Sequence, residues 1–386
     1  MILSDYTGGL IMLKYYEVEN FRSFKQKTKF SLEKTNYKVL EGTNTVNNLL
    51  KGILFVGANA SGKSNALLPI KLLLDLLFGE NLFHFDLNHC LFSKNPSMSL
   101  RFVFDIDGTE IDYTIEYHSD GSAWRELLKS DGKTILERDN SYAKVEFTEK
   151  KEYSDIQPNT LFLREIYFNT QFRENQLLQD WFSFLRSSVY LDLYSRKGRA
   201  YQASDIGLKK YLEENGTDEI NQFFKEFNFG QSIEYKNNLR GNNVSFFTDD
   251  KHIFIKRKGI KEPILFELES TGTQNLVQLF PSFFHCSHKG GLLILDEFSS
   301  GFHNDLEKLL IRYFMKYSTN AQLLFVTHST NLLSNSILRP DQLYTVEFDT
   351  NGSHINRFSD EQPREAQNIE KMYLGGVFGG LPRYEN

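Results

Sequence analysis

Eight consecutive residues, Gly57-Ala58-Asn59-Ala60-Ser61-Gly62-Lys63-Ser64, fit the pattern G-x-x-x-x-G-K-[ST]. The chemistry this spacing serves is the holding of a polyphosphate. The glycines permit the backbone turn and the close approach, and free N–H groups of the loop converge on one anion. Lys63 can reach the β- and γ-phosphates, and Ser64 can place its hydroxyl on Mg²⁺. Much later, the apolar run Leu292-Leu293-Ile294-Leu295 ends in Asp296-Glu297. A carboxylate at a strand end can hold Mg²⁺, directly or through water. Its neighbour can polarise the water that attacks a γ-phosphate. Taken alone, that pair reads equally well as a strand ending in a charged turn. Ser270-Thr271-Gly272-Thr273-Gln274 offers a second phosphate device, a serine N-cap with free N–H groups at a helix head. Leu323-Leu324-Phe325-Val326-Thr327 ends in His328.

These groups need elements to position them. Gly52 to Val56 reads as a buried strand before the loop. Ala66 to Phe78 reads as the helix after it, interrupted by Pro69, which costs about 3 kcal/mol or bends the axis. A helix is expected over Asn275 to Phe280. Another lies between the last two strands, with an apolar stripe at Leu306, Leu309, Leu310, Tyr313 and Phe314. That strand–helix–strand unit predicts His328 beside Glu297. Lys63 and Asp296 are 233 residues apart, far more than a minimal phosphate-loop domain needs, so the site must close across a large insertion.

The rest of the chain supplies that insertion. Leu13 to Asn20 and a run through Leu32 alternate as strands, and Gly42 to Asn48 reads as a turn. Leu100 to Tyr117 and Trp124 to Phe147 read as an antiparallel β lobe. Its hairpin signals are Asp107-Gly108, Asp120-Gly121 and Asp131-Gly132. Residues 169–229 look helical and Ser232 to Ile255 looks like strands. An α/β pattern follows from Ser270 to about Glu347. No repeat or long heptad run is present. The expected division is an N-terminal ATPase-type lobe over 13–168, a mostly helical insertion with a β hairpin over 169–264, and a C-terminal lobe over 265–386.

Composition fits a globular chain, neither disordered nor membrane-spanning, with 40% hydrophobic and 24% charged residues. No apolar run approaches a membrane span, and no signal peptide is evident. Met12 offers an alternative start. Two cysteines, Cys90 and Cys286, give no disulfide framework, which points to a reducing cytoplasm. A net charge of −6 argues against coating nucleic acid everywhere but leaves room for a local basic groove. Arg196-Lys197-Gly198-Arg199 and Lys256-Arg257-Lys258-Gly259-Ile260-Lys261 would suit DNA or RNA phosphates, or are solvated turns. His84, His89 and Cys90, with His285, Cys286 and His288, could together make a zinc site but match no zinc-finger spacing, and satisfied or solvent-exposed histidines are the stronger reading.

The phosphate loop, the distant S-x-G segment, the D-E pair and the lone histidine, in that order, resemble the ABC-type ATPase heads of the SMC, RecF and OLD families. Glu19-Asn20-Phe21-Arg22-Ser23-Phe24 resembles their N-terminal strand, and the loop through Asn65 is similar to theirs. Three later segments resemble the stand-alone AAA ATPases of bacterial defence loci, the RloA-like group. They are Ala321 to His328, Leu338-Arg339-Pro340-Asp341-Gln342-Leu343, and Tyr373 to Pro382.

The resemblance implies an α/β fold, an ABC/SMC-like head with an antiparallel β lobe and a helical insertion. It implies ATP and Mg²⁺ sandwiched in a homodimer or higher oligomer. Gly57, Asn59, Gly62, Lys63, Ser64 and Asn65 would then contact nucleotide, and Ser64 and Asp296 the metal. Glu297 would be the general base and His328 the γ-phosphate sensor, with Lys63 completing the catalytic set. Ser270 and Gly272 would reach the nucleotide of the opposite protomer, and Arg22 would lie near the phosphates or base.

Departures from the pattern are the wording of the signature, Pro69, and Gly301 where relatives carry leucine. There is also no clear Q-loop glutamine; Gln157 and Gln171 are the candidates. The implied setting is antiviral defence with an effector on a separate chain. A RecF-like DNA-repair or scanning ATPase, a nucleotide-dependent assembly scaffold, and a transporter motor are the competing readings.

Overall fold

The computed structural model describes residues 9–79, 85–119, 123–147, 149–158, 160–201, 207–240, 245–299 and 302–382. The hairpin signal at Asp120-Gly121 lies outside them, as do His84 and Gly301. The chain divides into two compact units. One comprises Met1–Gln202, Cys286–Ser299 and Asn304–Asn386; the other comprises Ala203–His285 and Ser300–His303. The sequence reading drew its boundaries at 168/169 and 264/265.

The first unit opens with β1 (Ile11–Glu19) and β2 (Thr28–Ser31). One turn of helix, α1 (Glu41–Asn44), and a short ladder of β3 (Thr45–Val46) and β4 (Leu49–Leu50) occupy the segment expected as a turn. β5 (Gly52–Val56) leads through the phosphate loop into α2 (Lys63–Phe78). A meander follows, made of β6 (Ser97–Ile106), β7 (Thr109–His118), β8 (Ala123–Ser130), β9 (Lys133–Asp139), β10 (Tyr142–Glu146) and β11 (Lys150–Tyr153). Together with β1 and β2 these build an eight-stranded sheet in the order β11-β10-β9-β8-β7-β6-β1-β2. β7 alternates as a one-sided strand must, with Ile111, Tyr113, Ile115 and Tyr117 buried and their neighbours half-exposed.

The chain then forms α3 (Phe162–Thr170), α4 (Gln176–Arg186), β12 (Val189–Asp192) and β13 (Lys197–Ala200). After the second unit it resumes with β17 (Gly291–Asp296), α8 (Asn304–Tyr317), β18 (Ala321–Val326), β19 (Leu343–Asp349), β20 (Gly352–Arg357) and α9 (Ile369–Leu374). A seven-stranded sheet results, ordered β13-β12-β17-β18-β5-β19-β20. Its five inner strands are parallel, and β13 and β20 close the edges antiparallel. β5, β17 and β18 are buried at every position, as a parallel sheet covered on both faces requires.

Buried polar side chains stitch the unit together. Gln322 on β18 accepts from the Leu13 N–H at 2.6 Å and donates to the carbonyls of Leu13 and Leu50, tying β1 to the parallel sheet. In the β lobe, Glu126 and Arg138 pair at 2.9 Å with no exposure. Glu126 also accepts from the N–H groups of Phe162 and Leu163 at the head of α3, where the helix dipole favours a carboxylate. Breaking such a pair on one side costs about 3–5 kcal/mol. The segment from Arg339 to Gln342 is a structural knot. Arg339 and Asp341 pair at 2.8 Å, fully buried, and Asp341 accepts from Thr35 N–H.

The second unit holds α5 (Leu208–Asn215), α6 (Asp218–Glu226), and a sheet of β14 (Gln231–Arg240), β15 (Ser245–Arg257) and β16 (Ile264–Leu265). Phe223 and Phe224 on α6 stack edge-on to Phe280 at 4.8 and 5.6 Å. Phe280 sits on α7 (Thr271–Lys289), which starts four residues earlier than expected and continues past Phe280 through Pro281.

Two expectations need correction. Residues 169–229 are not all helical, because β12 and β13 interrupt them. A four-residue strand shows too little period to be recognised against its helical flanks. As expected, α2 continues to Phe78 with Pro69 inside it and buried. The buried face of α8 is Glu307, Leu310, Ile311, Phe314 and Met315; Leu306, Leu309 and Tyr313 lie at its margin. No described helix is long and apolar enough to cross a membrane.

Candidate functional site

The phosphate loop joins β5 to α2. Gly57 has φ 153 and Gly62 φ 102. A Cβ on Gly57 would meet the Val346 carbonyl at 2.4 Å, and one on Gly62 would meet the Ser353 hydroxyl at 2.3 Å. Both positions therefore require glycine on backbone and contact grounds. Asn59 stands exposed at the loop. Lys63 is buried, and its Nζ donates to the carbonyls of Gly57 at 3.0 Å and Ala58 at 2.7 Å. Burial pulls the ammonium below the usual lysine value, while the charges of Glu297 and Asp296 push back.

The distant strand completes the site. Ser64 Oγ donates to Asp296 Oδ1 at 2.9 Å, and the Glu297 N–H donates to the same oxygen at 3.1 Å. Burial raises the Asp296 carboxyl above the usual range, opposed by the Ser64 hydrogen bond. Glu297 adopts φ 54, a left-handed conformation that a non-glycine residue holds only where its surroundings impose it. His328 follows β18, and its Nε2 lies 3.3 Å from the Glu297 carboxylate. Its N–H faces Ser299 Oγ at 3.4 Å. Phe298 is buried, its N–H bonded to the Val326 carbonyl, so the start of the loop after Glu297 is anchored to β18. Lys63, Ser64, Asp296, Glu297 and His328 thus form one constellation. It combines a cation, a hydroxyl and two carboxylates, the groups a Mg²⁺–polyphosphate needs.

The remaining expected residues fall around this centre or apart from it. Asn65 Nδ2 donates to Ser23 Oγ at 2.8 Å, and Ser353 Oγ lies 2.7 Å from Ser23 Oγ and donates to the Ser61 carbonyl. The N-terminal segment therefore braces the loop. Arg22 itself has φ 51 and donates from Nε to Asn88 Oδ1 at 2.9 Å.

Ser270 belongs to the second unit, where it caps α7: Thr273 N–H donates to Ser270 Oγ at 3.3 Å. Gly272 lies in the first turn. Glu269, bonded to the Ser270 N–H, is held by Arg257 at 2.7 Å, so one member of the second basic run serves the signature. In the first run, Arg199 pairs with Asp75 at 2.9 Å. Gln157 is exposed, and its carbonyl accepts from Arg138; Gln171 is the left-handed cap of α3. Among the described residues no group of three His, Cys, Asp or Glu side chains could hold a metal. His89 is bonded to Asn20, and Cys286 is buried with its thiol pushed up by burial.

Sequence reasoning missed two contributors. β12 pairs parallel with β17 and sets Tyr190 opposite Ile294, two residues before Asp296; the short strand carrying it gave no signal. The C-terminal segment also reaches the loop. A Cβ on Gly380 would lie 3.5 Å from Gly57 Cα, and the Gly380 N–H donates to Glu347 at 2.7 Å. The run of glycines in that tail was read only as part of the resemblance, not as a contact with the loop.

Comparison with known proteins places this geometry in context. No curated protein matches the chain. Among solved structures, the chain is similar to an SMC head domain from Thermotoga maritima at 18% identity and TM-score 0.49, covering 89% of this chain and 97% of that one. It is similar to an SMC head bound to the C-terminal winged-helix domain of ScpA at 17% identity and TM-score 0.48, covering 89% and 97%. The recombination mediator protein RecF matches at 15% identity and TM-score 0.40, covering 90% and 99%. Residues 53–334, from β5 to just beyond His328, match the family model described as "AAA domain, putative AbiEii toxin, Type IV TA system". That span takes in the phosphate loop, the D-E pair and His328, and the chain belongs to this AbiEii-type AAA domain family.

Proposed function

We propose that the chain is an ATPase that binds ATP with Mg²⁺ at the phosphate loop, hydrolyses it, and uses ATP to close two copies into a homodimer. The observation that carries this is the Ser64–Asp296 hydrogen bond of 2.9 Å beside buried Lys63. Mg²⁺ takes a hydroxyl or carboxylate or two from protein and the rest from water and phosphate, so this donor set fits it. When bound, Mg²⁺ neutralises charge on the β- and γ-phosphates. Lys63 and the loop N–H groups hold the phosphate oxygens, with Asn59 and Asn65 lining the loop and Arg22 near its base. Glu297 takes the proton of the attacking water as the bond from the γ-phosphorus to the ADP oxygen breaks. His328, paired with Glu297, stabilises the γ-phosphate.

Ser270 and Gly272, at the head of α7, meet the nucleotide of the other copy. The family description and the resemblance of the tail to stand-alone ATPases of defence loci support a role as sensor and regulator in antiviral defence, with the effector on another chain. The test is tagged Glu297→Gln protein purified with ATP and Mg²⁺ from its own host, with Lys63→Ala as control. A dimer by light scattering that holds a neighbouring-gene protein, absent from the Lys63→Ala sample, is expected. A monomer, or a dimer carrying only nucleic acid by its 260/280 nm ratio, contradicts the proposal.

A further inference from the structure

The sheet of the second unit brings a cation to the residue just before the signature serine. β15 and β16 pair antiparallel, with Phe254 opposite Leu265 and Ile255 opposite Ile264. Arg257 ends β15, and the short turn Phe266–Leu268 after β16 leads to Glu269 and the head of α7. Arg257 Nη2 donates to Glu269 Oε2 at 2.7 Å. The Glu269 side chain is 3% exposed and that of Arg257 41%, so the carboxylate is buried and its cation half-exposed. The same Glu269 oxygen accepts from the Ser270 N–H at 3.1 Å, and the other oxygen is buried with no hydrogen-bond partner among the described residues.

A carboxylate in this place has two opposed consequences. It fixes the main chain ahead of the helix. With the Ser270 N–H held, Ser270 Oγ accepts from Thr273 N–H at 3.3 Å, and the Ser270 carbonyl accepts from Gln274 N–H at 2.9 Å. The first two N–H groups of α7, those of Thr271 and Gly272, then have no intrahelical acceptor and form the positive end of the helix. The same carboxylate would repel an anion arriving there, and its burial leaves little water to screen the charge. Arg257 removes the conflict, because its guanidinium cancels the charge and leaves the hydrogen bond to Ser270 in place.

We infer that Arg257 is a positioning residue of the signature, one that neutralises Glu269 so that the head of α7 can receive the terminal phosphate of a nucleotide held by a second copy. The inference rests on the ATP-closed homodimer proposed above, in which Ser270 and Gly272 make that contact. Fold support alone would need both partners of the pair equally. Charge neutralisation does not, because without the carboxylate there is nothing to neutralise.

The test compares Arg257→Gln and Glu269→Gln, each placed in Glu297→Gln protein, with that parent. Sedimentation with ATP and Mg²⁺ gives the dimer dissociation constant, and ATP affinity is measured on dilute monomers. Expected for Arg257→Gln is a dimer weakened by about tenfold or more, with the monomer's ATP affinity that of the parent. Expected for Glu269→Gln, whose amide oxygen still accepts from the Ser270 N–H, is a dimer as tight as the parent's or tighter. Adding Glu269→Gln to Arg257→Gln is expected to restore the dimer. Equal weakening by the two single substitutions overturns the inference and marks the pair as fold support, and so does an Arg257→Gln dimer as tight as the parent's. Failure of the underlying reading looks different: the Glu297→Gln parent itself then stays monomeric with ATP.

Discussion

Ser64 Oγ donates to Asp296 Oδ1 at 2.9 Å although 232 positions separate them in the chain. The contact joins the first turn of α2 to the end of β17, and in the parallel sheet β18 lies between β17 and β5. One sheet therefore sets the distance between the two halves of the site. Replacing Ser64 with Ala or Asp296 with Asn is expected to weaken Mg²⁺-dependent ATP binding by about 10–100-fold and to leave metal-free ATP binding nearly unchanged. Calorimetric titration with and without Mg²⁺ measures both, and equal losses in the two conditions would contradict a metal role.

Glu297 and His328 lie 3.3 Å apart, and in the proposed mechanism this pair serves turnover rather than binding. Glu297→Gln keeps the shape and removes the base, so hydrolysis is expected to fall by at least about 100-fold while ATP affinity holds. His328→Ala is expected to lower turnover by a similar factor. Phosphate release by Glu297→Gln at the wild-type rate would remove Glu297 from its role.

The C-terminal segment is expected to support the loop through Gly380. Its φ is 76, and a Cβ there would lie 2.9 Å from the Thr345 side chain. Gly380→Val is expected to cost on the order of 1–3 kcal/mol and to weaken ATP binding. Gly376 has φ 82 with nothing within 4 Å of its Cβ position. Gly376→Ala should therefore carry the backbone strain alone, with unchanged ATP affinity. Denaturant unfolding and ATP titration of the two variants distinguish the effects.

Lys51 predicts a pH dependence of stability. Its ammonium is buried, donates to the Met315 carbonyl at 2.8 Å, and is lowered by burial to about 8. The unfolded chain, with the ordinary lysine value near 10.4, takes up the proton first as pH falls. Stability therefore rises with pH between about 8 and about 10.4 and is lost as pH drops through the folded value. Lys51→Met is expected to stabilise the protein by on the order of 1–2 kcal/mol at pH 7, and the gain should vanish by pH 10. Urea unfolding at the two pH values checks it; a gain independent of pH would refute the assignment.

Much of the centre was legible before the fold was known. Gly52 to Val56 is apolar at every position, and the glycines and Lys63 that follow have one common use, so strand, loop and helix were readable together. The strand–helix–strand spacing also foretold the meeting of Glu297 and His328. The unread parts depend on tertiary packing. β12 is four residues long, and only its pairing with β17 gives Tyr190 its place. Gly380 matters because the tail passes Gly57, a proximity that no local pattern encodes. The stripe on α8 was misjudged because Glu307 is buried, and polar residues are ordinarily assigned to the solvent face.

The most direct measurement is ATP binding by the wild-type chain and Lys63→Ala, titrated with Mg²⁺ present. The account predicts tight binding by wild type and a loss of at least about 100-fold in Lys63→Ala, whose ammonium is the only one among Lys63, Ser64, Asp296, Glu297 and His328. Equal affinity in the two proteins would mean that the phosphate loop does not hold the nucleotide, and the central claim would fall.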